Sequence, residues 1–137
     1  MDTQRHILVV DDSEDDREMY AQYLSQKGYR VSSAADGTEG LEKAFKLQPD
    51  LILMDLWLPR RGGWQTTREI RLDERTKHIP VLVITGHLYP RPELLGCDGW
   101  LAKPCPLDKL DAEIVRILQA DSQGEEPTAR ARPARTS

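Results

Sequence analysis

His6-Ile7-Leu8-Val9-Val10-Asp11-Asp12, residues 6–12, is a short continuous apolar run that ends on two carboxylates. The pattern recurs: Leu51-Ile52-Leu53-Met54 is followed by Asp55, Val81-Leu82-Val83-Ile84 by Thr85, and Trp100-Leu101-Ala102 by Lys103. Apolar runs without polar alternation are expected of strands covered on both faces, as in a parallel sheet. Stretches with helical spacing separate them, so strand and helix alternate in βα units. Strands are expected near 6–10, 30–34, 51–54, 81–85 and 100–102. The second, Arg30-Val31-Ser32-Ser33-Ala34, is the most polar and reads as an edge. In open α/β sheets ligands bind outside the carboxyl ends of the strands. Carboxylates, a hydroxyl and an ammonium brought to that edge suit a hard cation and a phosphoryl group.

The helical stretches carry their own punctuation. A first helix is expected from Glu14 to Lys27, stopped by Gly28, with Met19, Tyr20, Tyr23 and Leu24 as its inward stripe. Asp36 and Glu39 have the spacing of a capping box for a second helix, with Leu41, Ala44 and Phe45 inward and Pro49 ending the unit. A third is expected from Trp64 to about Glu74, with a thin stripe anchored by Trp64 and Ile70. The last follows Pro106, a good first-turn residue, and Leu107, Leu110, Ile114, Ile117 and Leu118 give it a clear amphipathic pattern.

The chain has 137 residues and a net charge of -4, enough for one domain and the wrong sign for nonspecific nucleic-acid binding. A folded domain over residues 1–120 and a disordered tail over 121–137 are expected. The tail has no large apolar residue, two prolines and three late arginines, which give it at most a basic handle for an acidic partner. No DNA-binding or other output domain is expected in it. No apolar stretch approaches membrane-spanning length and residues 1–5 lack signal-peptide anatomy, so a cytoplasmic protein is expected. Cys97 and Cys105 lack the second pair a zinc site needs and read as free thiols.

Adjacent carboxylates at a strand end repel unless a cation sits between them, so Asp11-Asp12 suggests a divalent ion, Mg²⁺ before any softer metal. Helix capping by Asp-Asp-Ser explains that pair equally well. Asp55 tilts the balance, because an ionised group at the end of a central strand calls for a ligand. Pro59, Gly62 and Gly63 shape the loop after it, and Trp57 is placed to offer a backbone carbonyl to a metal. Lys103 would be a costly buried charge unless it meets an anion, and Lys103-Pro104 suits a cis bond in a tight turn. Thr85 offers a donor to a phosphoryl oxygen, although a strand-end threonine alone is simply a good β residue.

Taken together, Asp11-Asp12-Ser13, Asp55 with Pro59 and Gly63, Thr85-Gly86, and Lys103-Pro104 resemble the receiver domain of two-component response regulators, over about residues 5–120. The resemblance implies the flavodoxin-like receiver fold: a five-stranded parallel sheet in order 2-1-3-4-5 flanked by five helices. It implies that Asp55 is the phosphoacceptor, that Asp11 and Asp12 bind Mg²⁺ with the Trp57 carbonyl, that Thr85 and Lys103 hold the phosphoryl group, and that Trp100 is the switch aromatic. The implied partners are a histidine kinase or phosphotransfer protein and a downstream protein target, with self-association left open. The implied activity is phosphoryl acceptance rather than enzymatic turnover.

The chain departs from the family pattern in four places. The segment between Thr85 and Trp100 is about four residues short, roughly one helical turn, and carries Pro90 and Pro92, so the fourth helix is expected to be shortened. Trp57 is large for its position, Arg60-Arg61 is unusual in its loop, and Cys105 replaces a common phenylalanine. Three other readings compete with this one. An aspartate-nucleophile phosphatase or phosphotransferase would want an acid at position 57, where Trp57 cannot protonate a leaving group. A cofactor-binding flavodoxin-like module would want a phosphate cradle where Asp11-Asp12 stands. A phosphorylation-independent binding module would not need the full set of chemical residues.

Overall fold

The computed structural model describes residues 4–57, 62–86 and 96–122, with side chains through residue 120. In chain order it contains β1 (His6–Val10), α1 (Glu14–Gln26), β2 (Arg30–Ala34), α2 (Gly37–Leu47), β3 (Leu51–Met54), α3 (Gly63–Leu72), β4 (Val81–Thr85), β5 (Gly99–Ala102) and α4 (Leu107–Ser122). The sheet order is β2-β1-β3-β4-β5, every pair parallel, with polar β2 at an edge as expected. Four helices lie among the described residues. The expected fourth helix falls on residues 87–95, outside them, as do Pro59, Arg60 and Arg61 of the loop after β3 and residues 123–137 of the tail. The last helix, α4, runs to Ser122, two residues into the stretch expected as tail.

Strands β1, β3 and β4 are continuous apolar runs because each feeds two core layers. Ile7, Val9, Leu51, Leu53, Leu82 and Ile84 pack with Tyr20 and Leu24 of α1 and with Leu110, Ile114, Ile117 and Leu118 of α4. The alternate residues Leu8, Val10, Ile52, Met54, Val81 and Val83 pack with Ala44 of α2 and Ile70 of α3. The period-two alternation of a strand thus sends successive apolar residues to opposite layers.

The helix termini follow their local chemistry. Ser13 Oγ accepts the Asp16 N–H at 3.1 Å and caps α1, whose first turn carries Glu14, Asp15 and Asp16 against the positive end of the helix. Gly28, at φ +99°, takes the left-handed turn that ends this unit. Asp36 Oδ1 accepts the Glu39 N–H at 2.9 Å, while Glu39 reaches back to the Ala35 N–H at 2.8 Å, one residue before the cap. Pro106 stands one position before α4 rather than in its first turn.

Two inward anchors are corrected. Met19 is 42 % exposed, because the buried stripe of α1 centres on Tyr20 and Leu24 and leaves Met19 on its rim. Trp64 is 43 % exposed, and α3 instead buries Gly63, Thr66, Thr67 and Ile70. Those threonines are buried without penalty because each hydroxyl bonds a carbonyl one turn back, Thr66 Oγ1 to Gly62 O at 3.0 Å and Thr67 Oγ1 to Gly63 O at 2.8 Å.

Chain order reverses between β1 and β3, the switch point at which open α/β sheets bind ligands. The register Val10↔Met54 sets Asp11 and Asp55 side by side, and Thr85↔Ala102 sets Lys103 one step past Thr85.

Candidate functional site

Backbone bonds carried over from the ladders fix the site residues. The Asp11 N–H donates to Ala34 O at 3.1 Å, the Asp55 N–H to Val10 O at 2.9 Å and the Lys103 N–H to Thr85 O at 2.8 Å. The first residue beyond each of these strands is thereby held almost as rigidly as the strand itself. Asp11, Asp55 and Thr85 are buried, and Asp12 is exposed. Oxygens of Asp11, Asp12 and Asp55 lie within 4.8 Å of one another, close enough to share one metal ion. Asp11 Oδ1 accepts the Ser13 N–H at 2.9 Å, so the turn into α1 orients that carboxylate.

Lys103 crosses the site from the far strand. Its Nζ lies 3.1 Å from Asp11 Oδ2, 3.2 Å from Asp16 Oδ2 and 3.5 Å from Asp55 Oδ2. The Lys103-Pro104 bond is cis, as the turn was expected to be. Burial pushes the Asp55 carboxyl up and the Asp11 charge adds to this, against the Lys103 ammonium and the Trp57 N–H. Burial pulls Lys103 down, but the carboxylates of Asp55, Asp11 and Asp16 outweigh it and hold the ammonium well above its ordinary range.

On the other side, the Trp57 N–H donates to Asp55 Oδ1 at 3.2 Å while the residue is 49 % exposed. Gly63 N–H donates to Leu56 O at 2.9 Å and lets the start of α3 lie directly on the backbone of Asp55 and Leu56. Trp100 is half-buried in β5, against the layer that contains Val83 and Cys97. Its Nε1 is buried with no hydrogen-bond partner among the described residues.

The structure brings together Asp11, Asp12, Asp55 and Lys103, with Thr85 and Trp57 beside them. Pro59 lies outside the described residues. Sequence reasoning missed Asp16. Its signal was present: Asp16 is one helical turn before buried Tyr20, on the face of α1 that turns toward the sheet.

Among the described residues four carboxylates face one ammonium here, an imbalance that a divalent cation offsets. The donors are all oxygen, which fits a hard ion, and Asp11, Asp12 and Asp55 are the residues that could hold it. Among the described residues no helix is long and apolar enough to cross a membrane.

Comparison with known proteins agrees with this geometry. A family model described as the response regulator receiver domain matches residues 7–115. The polar-differentiation response regulator DivK of Brucella ovis is 31% identical over 118 residues, which cover 83% of this chain and 96% of DivK. The DNA-binding dual master transcriptional regulator RpaA of Synechocystis is 36% identical over 117 residues, 82% of this chain, and the chain spans only 48% of RpaA. Among solved structures, the chemotaxis protein CheY4 of Vibrio cholerae superposes with a TM-score of 0.78 at 33% identity, over 84% of this chain and 99% of CheY4. A receiver domain from Methanospirillum hungatei, 24% identical, shares the fold with a TM-score of 0.84 over 90% of this chain and 100% of its own. Sheet order, acidic switch point and family match together place the chain in the response regulator receiver domain family.

Proposed function

We propose that the chain is a phosphoryl-accepting switch whose phosphoacceptor is Asp55. The observation that carries this is the position of the Asp55 carboxylate: at the β1/β3 switch point, beside Asp11 and Asp12, with Lys103 and the Trp57 N–H on its two oxygens. An Asp55 oxygen attacks the phosphorus of a phosphohistidine. The P–N bond breaks, the imidazole leaves with its electron pair and takes a proton, and an acyl phosphate remains on Asp55. Asp11, Asp12, Asp55 and the Trp57 carbonyl would hold Mg²⁺, which when bound supplies charge neutralisation for the transferring group. Lys103 supplies the second positive charge, and the Thr85 hydroxyl is at the strand end to donate to a phosphoryl oxygen. New bonds to Thr85 and Lys103 exist only with the phosphoryl group in place, so they bias the loops around Trp100.

Receiver domains act with kinases or phosphotransfer proteins and with downstream targets. For this chain the near-complete coverage of DivK supports signalling to a protein target. Two free cysteines accord with a cytoplasmic location. A phosphatase reading gains nothing at position 57, where an indole offers no acid.

The test is labelling with a small acyl phosphate, with and without Mg²⁺, followed by borohydride trapping and peptide mass mapping. Label on Asp55 that disappears with chelator is expected; label elsewhere, or label indifferent to chelator, overturns the assignment.

Position 57 also bears on how long the signal lasts. An indole rooted next to the Asp55 hydrogen bond hinders the in-line water that hydrolyses the acyl phosphate. Trp57→Ala is expected to shorten the phosphorylated lifetime by about threefold to tenfold, at most roughly 1.4 kcal/mol of barrier. An unchanged decay rate would reject that role.

A further inference from the structure

The Lys103 ammonium has three protons and three carboxylate acceptors. It lies nearest to Asp11 and Asp16, at 3.1 and 3.2 Å, and farther from Asp55, at 3.5 Å. All three donors are therefore engaged before any phosphoryl oxygen arrives. The three acceptors are not equivalent. The Asp11 and Asp55 side chains are 2% and 9% exposed, whereas the Asp16 side chain is 36% exposed. Water can take over a partly exposed carboxylate at small cost, while releasing a buried one leaves an uncompensated charge. Asp16 is thus the partner that Lys103 can exchange.

The exchange is also local. The backbone of the first turn of α1 is held by Ser13, whose Oγ accepts the Asp16 N–H, and the Asp16 side chain takes no part in that cap. The carboxylate can release Lys103 while α1 stays in place.

On the reading of Asp55 as phosphoacceptor, we propose that Asp16 is a positioning residue that competes with the phosphoryl group for Lys103. In the unphosphorylated protein it draws the ammonium toward α1. When a phosphoryl oxygen appears on Asp55, Lys103 gives up Asp16 and bonds that oxygen. Asp16 therefore sets how readily the site fills, through Lys103 and not by touching the phosphoryl group.

The experiment is binding of beryllofluoride, a phosphoryl mimic, at saturating Mg²⁺, followed by tryptophan fluorescence or amide NMR. Asp16→Asn is expected to bind about threefold to fivefold more tightly, the effect of relieving one partly exposed ion pair. Asp16→Glu, which keeps the competing carboxylate, is expected to bind more weakly than Asp16→Asn. In a Lys103→Met background Asp16→Asn is expected to change nothing, because the competed group is gone. A gain that persists in that background shows a general charge effect and overturns the proposal. So does unchanged or weaker binding by Asp16→Asn when the wild type binds. A wild type that does not respond to beryllofluoride overturns the functional reading itself. Should Lys103→Met fail to fold, the ζ-ammonium protons of Lys103 give a second readout: they are expected to exchange with water faster in Asp16→Asn, and equal exchange refutes the pairing.

Discussion

Asp55→Asn is expected to abolish Mg²⁺-dependent phosphorylation while making the metal-free protein more stable. The loss should be at least about 10³-fold in labelling rate, because an amide cannot replace the attacking carboxylate. The gain in stability has a separate origin. Asp55 is buried beside Asp11, and its carboxyl is raised from an ordinary value of 3.8, by burial first. A carboxyl raised in the folded state binds its proton more tightly there than in the unfolded chain. Its favourable contribution is present below 3.8 and is lost as pH rises through the raised value. At neutral pH the ionised side chain is therefore a liability, and the neutral isostere removes it. Lys103 keeps Asp11 and Asp16 as partners in the variant, so no buried ammonium is stranded. A Tm higher by about 2–5 °C at pH 7 is expected. The difference should shrink as pH falls toward 4 and on adding Mg²⁺, which stabilises the wild type more. Thermal unfolding across pH, with and without the metal, measures all three effects. A lower Tm for the variant at pH 7 would show that the carboxylate is a net structural asset and would sink this account.

Much of this site is readable before any coordinates, for a physical reason. The three central strands, β1, β3 and β4, are covered on both faces, so their sequences are uninterrupted apolar runs, as is that of edge strand β5, and the polar residue that closes each run marks the strand end. All five strands were expected within one residue of their observed bounds, the difference being Gly99 at the start of β5. The residues proposed to carry the chemistry stand at those ends, so position alone singles out Asp11, Asp55, Thr85 and Lys103 as candidates. What spacing could not give is direction. Periodicity locates a helix face only to within the roughly 100° step between neighbours, so Met19 could not be separated from Tyr20, nor could size alone assign Trp64 to the core. The buried face of α3 is glycine and threonine, which have no hydropathy signature; their burial rests on backbone contacts and on hydroxyls bonded one turn back. Helical spacing puts Asp16 on the sheet-facing side of α1, but its partner Lys103 is 87 residues away, and only the folded register makes the pair neighbours.

Gly63→Ala is expected to be the most damaging single substitution in the described chain, for stability and for chemistry together. A Cβ at this position would lie 1.8 Å from the Asp55 carbonyl oxygen, 2.7 Å from Leu56 Cα and 2.8 Å from the Asp55 carbonyl carbon. All three are backbone atoms, so no side chain can turn away to make room. Relief requires α3 to retreat from the end of β3. That retreat would break the bond from Gly63 N–H to Leu56 O at 2.9 Å, and α3 has no side-chain cap to hold its start in place. Overpacking of a side chain costs about 1–3 kcal/mol; a clash against main chain, which cannot turn aside, should reach or exceed the top of that range. The displaced atoms belong to Asp55, so the carboxylate moves with them, and small misplacements of a reacting group cost large factors in rate. Labelling per folded molecule is therefore expected to fall along with stability. Gly28→Ala is the matching control. Gly28 has φ +99° and nothing within 4 Å of a Cβ, so alanine there meets only backbone strain, about 1–2 kcal/mol, far from the site. Urea unfolding and labelling rates measured side by side separate the two. Gly28→Ala should lose stability and keep its labelling rate, whereas Gly63→Ala should lose both. Wild-type stability and labelling in Gly63→Ala would mean that α3 does not pack against Asp55 as described.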